Sequence, residues 1–193
     1  LVSYQYIEPE LPISVRTRIN SRLARYNTRT GDDEDLGGLL FGDSFPMNVT
    51  DTSRGMLYGI GQLGNFIAYD LNSRKPLYAG PLPENCQWAP RATLLDPKTG
   101  CCYGSEPGTR RILKFDPRTR VFTHIKALVP PHPIAGKGKE SVIRSYTRQR
   151  LQDGSILVMT NDGILFKFFP DEERTQLLGL NFGEGLYCCS MAL

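Results

Sequence analysis

The stretch DPKTGCCYGSEPGTRRILKFDPRTRVFTHI, residues 96–125, decides the fold. An aspartate and a glycine, Asp96 and Gly100, come first, and short apolar runs follow on both sides of a second glycine. Aspartate accepts hydrogen bonds from the backbone of its own turn, and glycine adopts the positive φ that tight hairpins require. The second run ends in an aromatic residue and an aspartate, Phe115 and Asp116, which begin a further turn. The stretch is therefore predicted to fold as strand–turn–strand–turn–strand.

The same order of residues recurs twice more along the chain. It is found in DTSRGMLYGIGQLGNFIAYDLNSRKPLYAG, residues 51–80, and in QDGSILVMTNDGILFKFFPDEERTQLLGL, residues 152–180. One further strand-like run precedes each copy: SFPMNVT (44–50), WAPRATLL (88–95) and SYTRQRL (145–151). Four antiparallel strands that repeat about every 50 residues are typical of the blades of a β-propeller.

Partial copies of the pattern lie near both ends of the chain. SRLARYNTRTGDDEDLGG, residues 21–38, matches the last two strands of a blade, and the acidic run DDED, residues 32–35, is expected in the turn between them. YCCSMAL, residues 187–193, matches an innermost strand alone. A β-sandwich also has short, evenly spaced strands, but it does not explain the recurring order of aspartate, glycine and aromatic residues.

We therefore predict an all-β fold, a β-propeller of four-stranded antiparallel blades, with three complete blades and two partial ones. The complete blades are expected near residues 44–80, 88–128 and 145–180, and the partial blades at 20–39 and 187–193. The chain, residues 1–193, is then a single propeller domain or part of one, either a fragment of a larger propeller or a small ring that its ends close. The absence of an initiator methionine agrees with a fragment or a mature form.

The composition is that of an ordinary globular protein, with 40% hydrophobic residues, 22% charged residues and a net charge of +3. No run approaches the roughly 18 apolar residues of a membrane span, and the first residues lack the features of a signal peptide. The small net charge disfavours nucleic acid and leaves an acidic polysaccharide or a protein as the expected partner. A fragment would also require its missing blades or a partner chain. The sequence identifies no cofactor, and soluble, secreted or periplasmic locations agree with it.

The blade pattern, DPKTG followed by CYG and RILKFDPRTR, resembles the repeats of bacterial-type β-propellers. It is similar to propeller polysaccharide lyases, such as the oligogalacturonate and ulvan lyases, and to many propellers without known activity. The first resemblance implies a carbohydrate-active propeller, either a polysaccharide lyase or a binder of acidic polysaccharide. The second implies a non-catalytic scaffold for protein–protein interaction. The Gly-His and Trp-Asp signatures of WD repeats are absent.

The candidate catalytic residues lie on an innermost strand and on a neighbouring loop. The period of two in a β-strand places Tyr146, Arg148 and Arg150 on one face of SYTRQRL. Tyr146 would act as general acid or base and Arg148 would neutralise a carboxylate, as β-elimination on a uronic acid requires. His132, in the proline-rich insertion VPPHPIAGKG, completes the expected catalytic set. Alternatively, alternate residues of this strand bond to a neighbouring blade.

Other polar residues of the innermost strands are expected to bind substrate. They are Asn48, Trp88, Arg91 and Arg150. The loops between the second and third strands carry further polar residues: Gln62, Asn65, Glu106, Arg110, Asn161 and Asp162. No metal site is predicted, because the sequence has no C-x₂-C motif and no histidine pair at ligand spacing.

The chain has five cysteines, four of which form adjacent pairs. Neighbouring residues of a strand face opposite sides of the sheet, so each pair is expected to split between two faces. Cys101 and Cys102 stand where the other copies carry core residues, and we expect them to be packing residues. Cys188 and Cys189 lie on a predicted innermost strand and are the better candidates for chemistry.

Overall fold

The computed structural model describes residues 2–6, 20–40, 43, 45, 47–133 and 141–179. Every element of regular secondary structure within these ranges is a β-strand. The strands form one three-stranded and three four-stranded antiparallel sheets. None of the described segments is a helix long and apolar enough to cross a bilayer. The chain divides into two compact units, Leu1–Leu82 and Pro83–Leu193, hereafter unit 1 and unit 2.

Unit 1 contains two sheets. The three-stranded sheet has strands β1 (Val2–Tyr6), β2 (Asn20–Tyr26) and β3 (Asp33–Leu40) in that order. The four-stranded sheet has strands β4 (Met47–Asp51), β5 (Met56–Ile60), β6 (Asn65–Asp70) and β7 (Lys75–Pro81), again in chain order. Each strand pairs with its sequence neighbour, as expected when hairpins connect all the strands.

Unit 2 contains the other two four-stranded sheets. One comprises β8 (Leu94–Leu95), β9 (Cys102–Ser105), β10 (Arg111–Asp116) and β11 (Val121–Leu128). The other comprises β12 (Ile143–Tyr146), β13 (Ile156–Thr160), β14 (Leu165–Phe169) and β15 (Arg174–Leu177). Three consecutive up-and-down sheets of four strands confirm the predicted propeller blades, and the described residues have an all-β, propeller-type fold.

The turns repeat their backbone geometry from blade to blade. Gly55, Gly100 and Gly154, each just before a second strand, have φ of 66°, 78° and 81°. The turns before the outer strands have a positive φ at a residue that is not glycine, namely Arg74, Arg120 and Glu173. The carboxylates of the turn aspartates accept backbone N–H groups two and three residues further on, as those of Asp51 and Asp96 do. The repeat recognised in the sequence is thus a repeat of turn chemistry.

The innermost strand predicted at residues 88–95 is much shorter than expected and consists of Leu94–Leu95 alone. Pro90 has no N–H group for a ladder bond, so it interrupts any strand here. Trp88 instead folds back over Gly104 of β9, and its indole N–H donates to the Ala92 carbonyl at 3.0 Å. The prediction of a full innermost strand was therefore wrong for this blade.

The strand predicted at residues 145–151 also ends early, at Tyr146. The Thr147 hydroxyl donates to the Gln149 carbonyl at 3.0 Å, which bends the chain into the following turn. Arg148 and Arg150 therefore follow the strand and are not part of it.

The N-terminal sheet differs from its prediction in two respects. β1 adds a third strand, although VSYQY carries the alternating pattern that would have indicated it. The placement of residues 32–35 in a turn was wrong for Asp33, Glu34 and Asp35, because β3 begins at Asp33. The partial blade predicted at residues 187–193 lies outside the described residues, as do Cys188 and Cys189.

One hydrophobic cluster of the described residues lies between the two sheets of unit 2. It includes Tyr103 of β9 and Cys101, which directly precedes β9, together with Phe166 and Phe168 from the other sheet. The rings of Tyr103 and Phe168 meet edge-on with their centroids 5.0 Å apart, a favourable aromatic geometry. Cys101 belongs to this core, whereas Cys102 is buried outside it. The adjacent cysteines thus split between two faces, as predicted.

Substitution of Gly104 by alanine tests the packing of Trp88. An added Cβ would lie 1.9 Å from indole ring atoms, so the ring or the strand would have to move. We expect Gly104→Ala to lower the free energy of unfolding by about 1–3 kcal/mol in urea titrations. Gly38→Ala is the control, because nothing lies within 4 Å of its added Cβ. Equal midpoints for Gly104→Ala and wild type would contradict this packing.

Candidate functional site

Two innermost segments of unit 2, residues 91–96 and 143–150, lie side by side, and we call them the inner interface. Their side chains bond across the two blades at three levels. At the first level Arg144 Nη1 donates to the Arg91 carbonyl at 3.4 Å, and at the second the Tyr146 hydroxyl donates to the Thr93 carbonyl at 2.7 Å. Arg144 and Tyr146 therefore bond to the neighbouring blade, as the alternative interpretation of this strand predicted.

The third level of the inner interface is an ion pair. Arg150 Nε and Nη2 donate to the two carboxylate oxygens of Asp96, each at 2.8 Å. The same guanidinium donates from Nη1 and Nη2 to Asp171, at 2.7 and 3.0 Å. Asp96 is fully buried and the Arg150 side chain is 12% exposed. Two bidentate contacts of this kind fix the position and orientation of the guanidinium.

The ion pair changes the pKa of each of its members. Burial opposes the ionisation of Asp96, but hydrogen bonds from Arg150 and Thr99 outweigh it and lower the pKa of Asp96. Hydrogen bonds from Arg150 and Lys98 hold the pKa of Asp171 well below its usual range. The hydrogen bonds to Asp96 and Asp171 raise the pKa of Arg150. All three groups are therefore charged at neutral pH.

Tyr146 was predicted to act as general acid or base. Burial raises the pKa of its hydroxyl well above the usual value, so the group stays protonated and donates to the Thr93 carbonyl. An ionised phenolate at this position would lose that hydrogen bond. The catalytic role of Tyr146 stays a prediction.

The other predicted site residues occupy different environments. Arg91 and Arg148 are exposed, whereas Trp88 is 3% exposed and packed on Gly104. His132 is half-buried in the connection that follows β11. Asn48 lies on β4 of unit 1, where its amide donates to the Phe45 carbonyl at 3.3 Å. The inner interface thus brings together the four predicted residues Arg91, Tyr146, Arg148 and Arg150 by position.

Glu106, one of the polar loop residues noted in the sequence, forms a second buried polar cluster. Its Oε1 accepts the Gln87 N–H at 3.0 Å and lies 2.7 Å from His124 Nε2. Its Oε2 accepts Arg111 Nε at 2.7 Å and the Thr109 hydroxyl at 3.1 Å. Burial opposes its ionisation, but hydrogen bonds from His124 and Gln87 prevail and lower the pKa of Glu106. This carboxylate joins β10, β11 and the connection before β8.

The cysteines of the described residues are free thiols. Burial raises the pKa of Cys86 and that of Cys101, and the nearby carboxylate of Glu106 adds to the effect at Cys86. A thiol with a raised pKa is a poor nucleophile at neutral pH. In the part of the chain that the structure describes, no group of three or more His, Cys, Asp or Glu residues is placed to hold a metal ion.

Comparison with known proteins supports the fold. No family model matches the chain, and no curated protein matches it. Solved structures do match: the WD40 repeats of RRP9 with a TM-score of 0.54 at 10% identity, and U3-55K with 0.53 at 11%. A Bacteroides thetaiotaomicron protein of unknown function matches with a TM-score of 0.58 at 12% identity. At such identities the likeness shows the fold alone.

The extent of these matches differs between the two chains compared. The match to RRP9 covers 77% of this chain, the match to U3-55K covers 77%, and the match to the Bacteroides thetaiotaomicron protein covers 96%. It spans only 41%, 42% and 52% of the three matched structures, about half of their length or less. None of the three is described as a polysaccharide lyase, so the resemblance to that class stays a prediction.

The pH dependence of stability tests the ion pair of the inner interface. Asp96 has a lowered pKa in the folded chain, so its contribution is complete above pH about 4 and is lost as the pH falls through the folded value. We expect Arg150→Gln to cost about 3–5 kcal/mol at pH 7, because it leaves a buried carboxylate unpaired. The difference from wild type should shrink in acid, where the unpaired Asp96 is protonated.

The control for this titration is Arg148→Gln, which removes the same charge from an exposed position two residues away. It should stay within about 0.5 kcal/mol of wild type across the pH range. Urea unfolding followed by tryptophan fluorescence at several pH values between 7 and 3 measures both differences. If Arg150→Gln lowers the free energy of unfolding by the same amount at every pH, the assignment of a stabilising Arg150–Asp96 ion pair would be contradicted.

Proposed function

We propose that this chain is part of a β-propeller scaffold whose exposed surface binds a protein partner. The proposal rests on one observation: some polar side chains of the inner interface join the two blades of unit 2, while others from the same segments are exposed. Arg150, Asp96 and Tyr146 bond one blade to the next, while Arg91 and Arg148 extend from the same two segments into solvent. The likeness in fold to the WD40 repeats of RRP9 supports this proposal.

Rigid positioning of the exposed groups suits a binding surface. The backbone around Arg91 and Arg148 is anchored by the Tyr146 hydrogen bond and by the Arg150 ion pairs on either side of Arg148. A surface that is ordered before binding loses less conformational entropy when a partner docks. The structural bonds of the inner interface therefore serve the proposed function by fixing these side chains.

Carbohydrate activity is the second candidate. It is favoured by the exposure of Arg91 and Arg148, whose guanidiniums suit the carboxylates of an acidic polysaccharide. Because Tyr146 stays protonated and is hydrogen-bonded to Thr93, it is poorly suited to remove a proton as a lyase requires. Binding of such a polymer needs no proton transfer. We therefore rank a binder of acidic polysaccharide above a polysaccharide lyase.

The proposal is tested by reconstitution with a partner protein. We expect affinity capture from the native extract to yield a protein that, once purified, binds the chain with a Kd below about 10 μM in calorimetry. The chain should release no unsaturated product from uronate-containing polysaccharides, as followed by ultraviolet absorbance. Turnover of such a polymer that Tyr146→Phe abolishes, together with no reconstituted protein complex, would overturn the scaffold in favour of a lyase.

A further inference from the structure

We propose that the inner interface of unit 2 binds an acidic segment of the partner protein through the side chains of Arg91 and Arg148. This inference rests on the scaffold function proposed above and names the chemistry of the partner. The occupant is a peptide segment rich in glutamate or aspartate, bound in an extended conformation along the two segments.

The charge of the two segments is one-sided. The two segments, residues 91–96 (RATLLD) and 143–150 (IRSYTRQR), contain four arginines and one carboxylate, that of Asp96. Arg150 is neutralised by the buried carboxylate of Asp96 and by Asp171. The remaining three, Arg91, Arg144 and Arg148, lie on segments whose one carboxylate, Asp96, is already paired with Arg150. A strip of this kind attracts an anionic partner before contact is made.

The geometry of the inner interface sets the two exposed arginines apart. Tyr146 and Thr93 are joined by a hydrogen bond of 2.7 Å. Arg91 lies two residues from Thr93, and Arg148 lies two residues beyond Tyr146. The cross-blade bonds follow the same order along both segments, from Arg91 through Thr93 to Asp96, so Arg91 and Arg148 lie on opposite sides of that bond. An extended peptide can reach both with acidic side chains a few positions apart.

The carboxylates of unit 2 are largely engaged away from these two arginines. Asp96 and Asp171 bind Arg150, and Glu106 binds Arg111 and His124. Asp116 pairs with Arg118, Asp153 with Lys167, and Glu172 with Arg174. Asp162 accepts the hydroxyls of Ser141 and Thr160, and Glu173 accepts the Lys126 N–H. The carboxylates that complement Arg91 and Arg148 are therefore best supplied by the partner.

The surroundings favour a peptide over a polysaccharide. Sugar rings are commonly held against exposed aromatic faces, but the aromatic residues of these segments are engaged in the fold. Trp88 is packed on Gly104 and 3% exposed, and the Tyr146 hydroxyl is bonded to Thr93. Arginine binds a carboxylate in a bidentate manner without any need for an aromatic surface.

A fluorescein-labelled octaglutamate peptide is the probe, and fluorescence anisotropy with the full 193-residue chain is the measurement. We expect saturable binding that weakens as salt is raised. The double variant Arg91→Gln, Arg148→Gln should weaken binding about tenfold or more. The matched control is Arg120→Gln, Lys126→Gln, which removes two exposed positive charges from the β10–β11 turn and from β11 and should leave the affinity within about twofold.

The other outcomes overturn the inference. Equal losses in both double variants would show binding by net charge alone. Binding of polygalacturonate but not of octaglutamate would assign the surface to an acidic polysaccharide, and binding of neither would remove the acidic partner altogether. If a reconstituted partner protein binds the double variant as tightly as wild type, the scaffold function is supported but binding through Arg91 and Arg148 is excluded. If no partner protein binds at all, the scaffold function itself falls.

Discussion

The ion pair between Arg150 and Asp96 is the interaction on which unit 2 depends. It joins the turn after β8 to the turn after β12, and both hydrogen bonds within it are 2.8 Å long. A buried charge that loses its partner is strongly destabilising, so a change of Arg150 alone, which leaves Asp96 without its partner, is costly. Its second carboxylate, Asp171, extends the same contact to the turn before β15 and to Lys98. The pair therefore fixes the positions of three turns at once.

The connections between blades are held by different chemistry in each blade. In unit 1 the buried carboxylate of Asp43 accepts the Leu63 N–H at 3.1 Å and the Asn65 amide at 2.8 Å. In unit 2 the same task falls first to Glu106, which accepts the Gln87 N–H at 3.0 Å. In the next blade the Asn161 side chain accepts the Val142 N–H at 2.8 Å. In each case a side chain that accepts a backbone N–H joins the connection to the turn between the second and third strands, but the donor belongs to the turn in unit 1 and to the connection in unit 2.

The fold followed from the sequence because turn chemistry repeats and is local. An aspartate whose carboxylate bonds two and three residues ahead, followed by a glycine with positive φ, can be read from a few letters. The inner interface could be read only in part, since its partners are 53 or 54 residues apart in sequence. The two-residue period of a β-strand predicted that the side chains of Tyr146 and Arg150 lie on the same face. It did not predict that their partners are Thr93 and Asp96. Glu106 was identified as a polar loop residue, but its partners Gln87 and His124 are 19 and 18 residues away in sequence and could not be predicted.

A double-mutant cycle on Asp96 and Arg150 tests the central claim most directly. Asp96→Asn, Arg150→Gln and the double variant would be compared with wild type by urea unfolding at pH 7. The account predicts a coupling free energy of about 1–3 kcal/mol, with the double variant less destabilised than the sum of the single variants. Additive effects, with a coupling free energy near zero, would contradict the claim that this pair holds the two blades of unit 2 together.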